Sequence, residues 1–185
     1  MTTASITNRI QEVSDPSTRR ALYELFESIR SELAELKADS IINAPTLSTG
    51  STAANVATTA FQFRIDGVTY AKAAVTAGTA LGITDTINTG TATGSFFGGF
   101  AAQINAAGTI SFKSAATDQT ETSAAAAEVA ARAIAADAGN VIIGYFVVEA
   151  PADGDWVAGT DDLTAGSDCA SVTYYSASDS HFLTE

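Results

Sequence analysis

The sequence predicts a mainly β protein in which an N-terminal coiled-coil-like helix precedes a small antiparallel β-sandwich or barrel carrying one Ala-rich helix. Three observations carry that expectation. Residues 15–39, DPSTRRALYELFESIRSELAELKAD, form the only long, strongly charged helical pattern in the chain. Most of the chain beyond residue 60 consists of short β-branched or aromatic runs punctuated by Gly-rich turns. One of these runs, VIIGYFVVEA at 141–150, is apolar on consecutive residues, the pattern of a central strand buried on both faces. The expected organisation is an arm at 1–14, an oligomerising helix at 15–40, a linker or edge segment at 41–59 and a β-domain at 60–185.

In the arm, Ile6, Ile10 and Val13 make one apolar stripe suited to docking on another surface; a frayed terminus is the alternative. Pro16 closes that segment, because proline disfavours helical geometry in the residue before it. Asp15 is then the N-cap, Pro16 takes the first helical position, and Lys37 lies in the last turn, where the helix dipole favours a cation. Within the helix, Leu22, Phe26, Ile29, Leu33 and Leu36 follow the spacing of a heptad seam, with Phe26 and Leu33 at a and Leu22, Ile29 and Leu36 at d. Large residues at a with mixed Leu and Ile at d lean toward three or more strands. Glu32 at g and Lys37 at the following e can pair between parallel chains, and Arg30 occupies the preceding e. Little more than two heptads make a short coil that is marginal alone, so the alternative is an amphipathic helix lying on its own domain.

Residues 40–59 lose their charge and become rich in Ser, Thr, Ala and Asn, which reads as a linker or an extended edge. A hairpin comes next. Phe61 to Ile65 alternates, Asp66-Gly67 is a two-residue turn signal and Val68 to Lys72 returns, pairing Ile65 with Val68 and Phe63 with Tyr70. In the Thr/Gly/Ala-rich stretch at 73–94, Leu81, Ile83 and Ile87 are the short-strand candidates. Ser95 to Ile104 and Thr109 to Lys113 form a second hairpin around Asn105 to Gly108, with Gly98-Gly99 marking a bulge or a close backbone approach. Ser123 to Asp137 is the Ala-rich helix; only Val129 and Ile134 are bulky, so it covers a sheet edge. Cys169 to Ser176 is the last strand.

Composition narrows the function. The net charge is −12, from 21 acidic against 9 basic residues, and no Lys or Arg occurs after Arg132. Phosphate binding needs clustered cations, so a nucleic-acid partner is disfavoured. One Cys, Cys169, excludes an intrachain disulfide and a Cys-rich zinc site, and it reads as a buried small hydrophobe. No run of about 18 apolar residues is present and the N-terminus lacks signal-peptide character, so a soluble protein made in the cytoplasm is expected, without membrane insertion. The single His, His181, close to the end beside Phe182, reads as a surface residue, and the Gly-rich segment at 94–99 lacks the Lys of a phosphate loop. Asp153-Gly154-Asp155 and Asp161-Asp162 do not fall in the register of a calcium loop, so a solvated acidic loop is expected, with no metal and no cofactor. Trp156 in that loop has two readings. It is a platform for a neutral sugar, its ring stacking while Asp153 or Asp155 accepts hydroxyl protons, or it caps the open end of the core.

The segment GYFVVEAPADGDWVAGTDDLTAG with ASVTYYS after it resembles the C-terminal part of small structural proteins of tailed bacteriophages: a buried strand, a polar turn, an aromatic, a Gly-Thr turn and a closing Val-Thr-Tyr strand. The hairpin FQFRIDGVTYAKAA is similar to an early hairpin of such proteins. The resemblance covers roughly 60–73 and 141–176 and leaves out the heptad helix. It implies a non-enzymatic virion component, a capsid decoration (cement) or head-fibre protein with the major capsid protein among its partners; the heptad helix, read separately, makes that component a trimer. The alternative is a tail-fibre, spike or baseplate subunit that binds a host glycan. The family supplies no catalytic residues. A neutral, hydroxyl-rich β-body behind an oligomerising helix agrees with that expectation, since copies of one helix close a symmetric assembly without further interfaces.

Overall fold

The computed structural model describes residues 9–87, 94–152, 154–166 and 168–177, and only the backbone at 34–37. The chain divides into two compact units, Met1–Ala38 and Asp39–Glu185.

The first unit has helical residues at 9–11, a turn, and helix α1 (Pro16–Lys37). The turn residue Asp15 starts the helix as the sequence expects. Its Oδ2 accepts from the Thr18 amide at 2.7 Å and from the Ser17 and Thr18 hydroxyls, satisfying donors that no intrahelical carbonyl reaches. Those bonds, from the Thr18 side chain first, hold the Asp15 carboxyl at a pKa of about 2 against an ordinary 3.8. Arg20–Glu24 at 2.9 Å and Arg30–Glu27 at 3.7 Å are exposed pairs on the helix surface and add little.

The second unit is built mainly of antiparallel sheet. Strands β1 (Ser40–Asn43), β4 (Phe61–Ile65) and β5 (Val68–Lys72) form one sheet in the order β1-β4-β5. Strands β2 (Leu47–Thr49), β3 (Asn55–Thr58) and β6 (Val75–Ala80) form another, in the order β2-β3-β6. The linker alternative for 41–59 is therefore corrected: β1, β2 and β3 lie there, with Leu47 and Val56 in the core. Three short strands, β7 (Thr86–Ile87), β10 (Asp118–Gln119) and β12 (Trp156–Val157), pair in the order β10-β7-β12, with β10 and β7 parallel. The largest sheet joins β8 (Phe97–Asn105), β9 (Ile110–Ser114), β11 (Asn140–Glu149) and β13 (Ser171–Ser176) in the order β13-β11-β8-β9.

Both expected hairpins form. Ile65 pairs with Val68 and Phe63 with Tyr70, across a turn in which Asp66 and Gly67 both take positive φ, 51° and 78°. Positive φ at both central residues is the mirror-image turn that matches strand twist, which is why Asp-Gly signals it. The aromatic rings of Phe63 and Tyr70 stack at 5.4 Å. The second hairpin joins Ile104 to Ile110, and the Asn105 carbonyl receives the Gly108 amide.

Strand β11 is central and buried on both faces, as its apolar run predicts. One face carries Phe146, which stacks on Phe100 of β8 at 5.1 Å and meets Phe112 of β9 edge-on. The opposite face is covered by helix α2 (Ala124–Arg132), N-capped by Ser123. Here the expectation is corrected twice. The helix covers the middle of the sheet rather than its edge, and its contact is made by Ala127 and Ala131, both fully buried, while Val129 is 70% exposed. Gly99 explains the choice. A Cβ there would lie 2.3 Å from the Ala127 carbonyl oxygen, so only glycine lets the helix backbone come this close, and only small residues fit on the helix side. The helix also stops at Arg132 rather than Asp137. Lys113 binds the Ala135 carbonyl and the Asp137 carboxylate, and Gln103 binds Asp137 through both its side-chain atoms, which draws 135–137 onto β8 and β9. Likewise the last strand begins at Ser171, not at Cys169.

Candidate assembly surface

In α1 the heptad residues are only partly covered. Leu22 and Phe26 are half-buried, whereas Ile29 is 46% and Leu33 52% exposed; the Leu36 side chain lies outside the described residues. Exposed β-branched or leucine side chains at successive d and a positions make an apolar stripe that water disfavours, at roughly 25 cal/mol per Å2 of apolar area. Leu25, 56% exposed and one position before Phe26, widens the stripe at g. Sequence reasoning passed over Leu25, although an apolar g residue beside an a residue is readable from the spacing alone.

The arm is not the free apolar strip expected. Ile6 lies outside the described residues, Ile10 is only 7% exposed, and Val13 is half-buried. The docking role for Ile10 is corrected, because a buried side chain has no surface left to offer a second protein. Val13 is occupied instead through its backbone. Its carbonyl accepts from Arg19 Nε at 3.0 Å and Nη2 at 2.6 Å, and its amide binds the Ile10 carbonyl at 3.2 Å.

In the second unit, the sugar-platform reading of Trp156 is corrected. The ring is fully buried, packs edge-on against Phe100 at 5.4 Å, and its indole N–H donates to the Asp162 carbonyl at 3.1 Å. A ring with no accessible face cannot stack on a saccharide; the capping alternative describes this geometry. Asp153 lies outside the described residues, and Asp155 is exposed. The acidic loop is tied down by its own carboxylates: Asp161 accepts from the Val157 amide at 2.7 Å and Asp168 from the Asp162 amide at 3.3 Å. Further on, the Leu163 amide donates to the Ala53 carbonyl, and its carbonyl accepts from the Thr49 hydroxyl. Among the described residues, no group of three or more His, Cys, Asp or Glu side chains is placed to hold a metal ion.

Cys169 is fully buried, and burial first, then the Asp168 and Asp162 charges, push its thiol pKa up. That holds it protonated and poorly nucleophilic. His181 lies outside the described residues. At the end of α2, the Arg132 guanidinium sits 5.6 Å from the Tyr145 ring and 5.2 Å from the Tyr175 ring, and bonds Glu128 at 2.9 Å. This cation–π clamp fastens the helix to the cross-strand pair Tyr145–Tyr175, and nothing in the spacing of three distant residues announces it. Among the described residues, no helix is long and apolar enough to cross a membrane. No family model, no curated protein and no solved structure matches the chain.

Proposed function

We propose that the chain is a non-enzymatic structural component of a bacteriophage virion, a homotrimeric capsid decoration or head-fibre protein whose three copies join through a parallel coiled coil of α1. The observation that carries the reading is the stripe of Leu25, Ile29 and Leu33, each about half exposed on a helix whose apolar spacing is a heptad. Parallel pairing fits the flanks. An antiparallel partner would set e against e, bringing Tyr23, Arg30 and Lys37 of two chains together, whereas a parallel one sets Glu32 against Lys37. In this reading the β unit is a sandwich whose aromatic layer lies between the large sheet and the smaller ones. The particle assignment rests on the resemblance of 60–73 and 141–176 to phage structural proteins, with other virion proteins, the major capsid protein first, as partners.

The alternative of a tail-fibre, spike or baseplate subunit that binds a host glycan would need a platform other than Trp156, which is interior. Localising the chain by immunogold labelling on purified particles tests the proposal. Label over the head surface is expected. Label at the tail tip would transfer the chain to the fibre class, and particles without label would overturn the virion assignment.

A further inference from the structure

Arg19 stands one heptad before Phe26, at an a position of the same seam. In a parallel trimer, that position would bring three guanidinium groups toward the axis, where unpaired charges are strongly disfavoured. The structure gives this charge another place. Both Nε and Nη2 of Arg19 converge on the single carbonyl oxygen of Val13, six residues back, at 3.0 and 2.6 Å. That carbonyl is held in place by the turn, because the Val13 amide is bonded to Ile10. The next peptide leads directly into the Asp15 cap, so the acceptor and the helix start are fixed relative to each other.

We propose that the Val13 carbonyl is an intramolecular latch that withdraws Arg19 from the seam and so sets where the trimeric coil begins, at Leu22. The inference rests on the trimer reading and concerns its control. It assigns the segment before the helix a role in assembly distinct from docking on a particle. The latch needs an arginine. Its two donors along one edge reach a common acceptor, whereas a lysine carries one mobile ammonium group and no donor at the Nε position. An Arg19→Lys chain would keep the charge and release it toward the axis, and an Arg19→Leu chain would remove the charge and complete the seam.

The test is sedimentation equilibrium of the full chain and these two variants at about 0.05 M and about 1 M salt, where the Debye length falls to roughly 3 Å. Arg19→Lys is expected to loosen the trimer about tenfold or more at low salt, with most of the loss recovered at high salt. Arg19→Leu is expected to be at least as tight as the parent at both. Equal assembly of Arg19→Lys and the parent would overturn the latch. So would loosening of both variants by the same, salt-independent factor, since the contact would then only support the turn. A parent chain that stays monomeric at every concentration sinks the trimer reading itself, a result separate from either of these.

Discussion

The two units dispose of their large apolar side chains in opposite ways. In the β unit, Trp156, Phe63, Phe100, Phe146 and Ile143 are fully buried, and the core closes on itself. In α1, Leu25, Ile29 and Leu33 remain about half exposed. The sheets bury apolar side chains in one shared core and α2 buries its own against the largest of them, while the apolar stripe of an amphipathic helix such as α1 stays half open to water. The β unit thus keeps those large side chains from water, whereas α1 leaves a stripe of large aliphatic side chains in contact with it.

The largest effect expected from breaking this contrast comes from Ile29→Asp combined with Leu33→Asp. Six carboxylates in a trimeric seam would cost roughly several kcal/mol each if unpaired. Sedimentation should give monomers while the unfolding midpoint of the β unit stays where it was. A trimer that persists would move the interface out of the helix.

Next is Trp156→Ala, which removes the ring packed on Phe100 and should lower the stability of the β unit by about 3–5 kcal/mol. Calorimetry reads the loss. A melting temperature within a degree or so of the parent would mean that the ring is not part of the core.

Gly99→Ala sharpens the comparison within the β unit itself. The added methyl meets the Ala127 carbonyl oxygen at 2.3 Å, and forcing the helix off the sheet should cost roughly 1–3 kcal/mol. The same change at Gly139, where a Cβ meets nothing within 4 Å but φ is +74°, isolates backbone strain from crowding. Comparable losses at the two sites would argue against a tight helix–sheet contact.

The smallest effect is in the helix cap. The folded pKa of Asp15, about 2, lies below its ordinary 3.8, so the cap's contribution is fully present above that ordinary value and is lost as pH falls through about 2. Helicity measured by circular dichroism between pH 5 and pH 2 should show a decrease that Asp15→Asn removes. An identical acid limb in the two chains would place the titration elsewhere. Asp137, also lowered, chiefly by its bond from Lys113, contributes with the same sign in the β unit.

Both hairpins, the helix start and the central strand were legible because each depends on residues close in sequence. Asp66-Gly67 dictates its turn, Asp15 caps the residues next to it, and the run at 141–150 carries its own burial pattern. Short-range signals failed where small residues decide. Val129 and Ile134 are the bulky residues of their segment, yet Ala127, Ala131 and Gly99 make the contact, since close approach of two backbones rewards the absence of side chains.

By itself, then, the sequence determined the mainly β class, the bounds of the long helix, its heptad spacing and the register of two hairpins. Each arises from periodicity, capping or turn chemistry within a few residues. Only the tertiary structure decided between linker and edge strand in 41–59, that Trp156 is interior, that Ile10 is covered and that Arg19 turns back to Val13. Those outcomes depend on partners that no local pattern names. Thr49 reaches the Leu163 carbonyl across 114 positions, and the Trp156 ring is buried by Phe100 of a strand far earlier in the chain. A polar, hydroxyl-rich segment such as 41–59 becomes a strand when a neighbouring sheet supplies its hydrogen-bond partners, and composition carries no record of that neighbour.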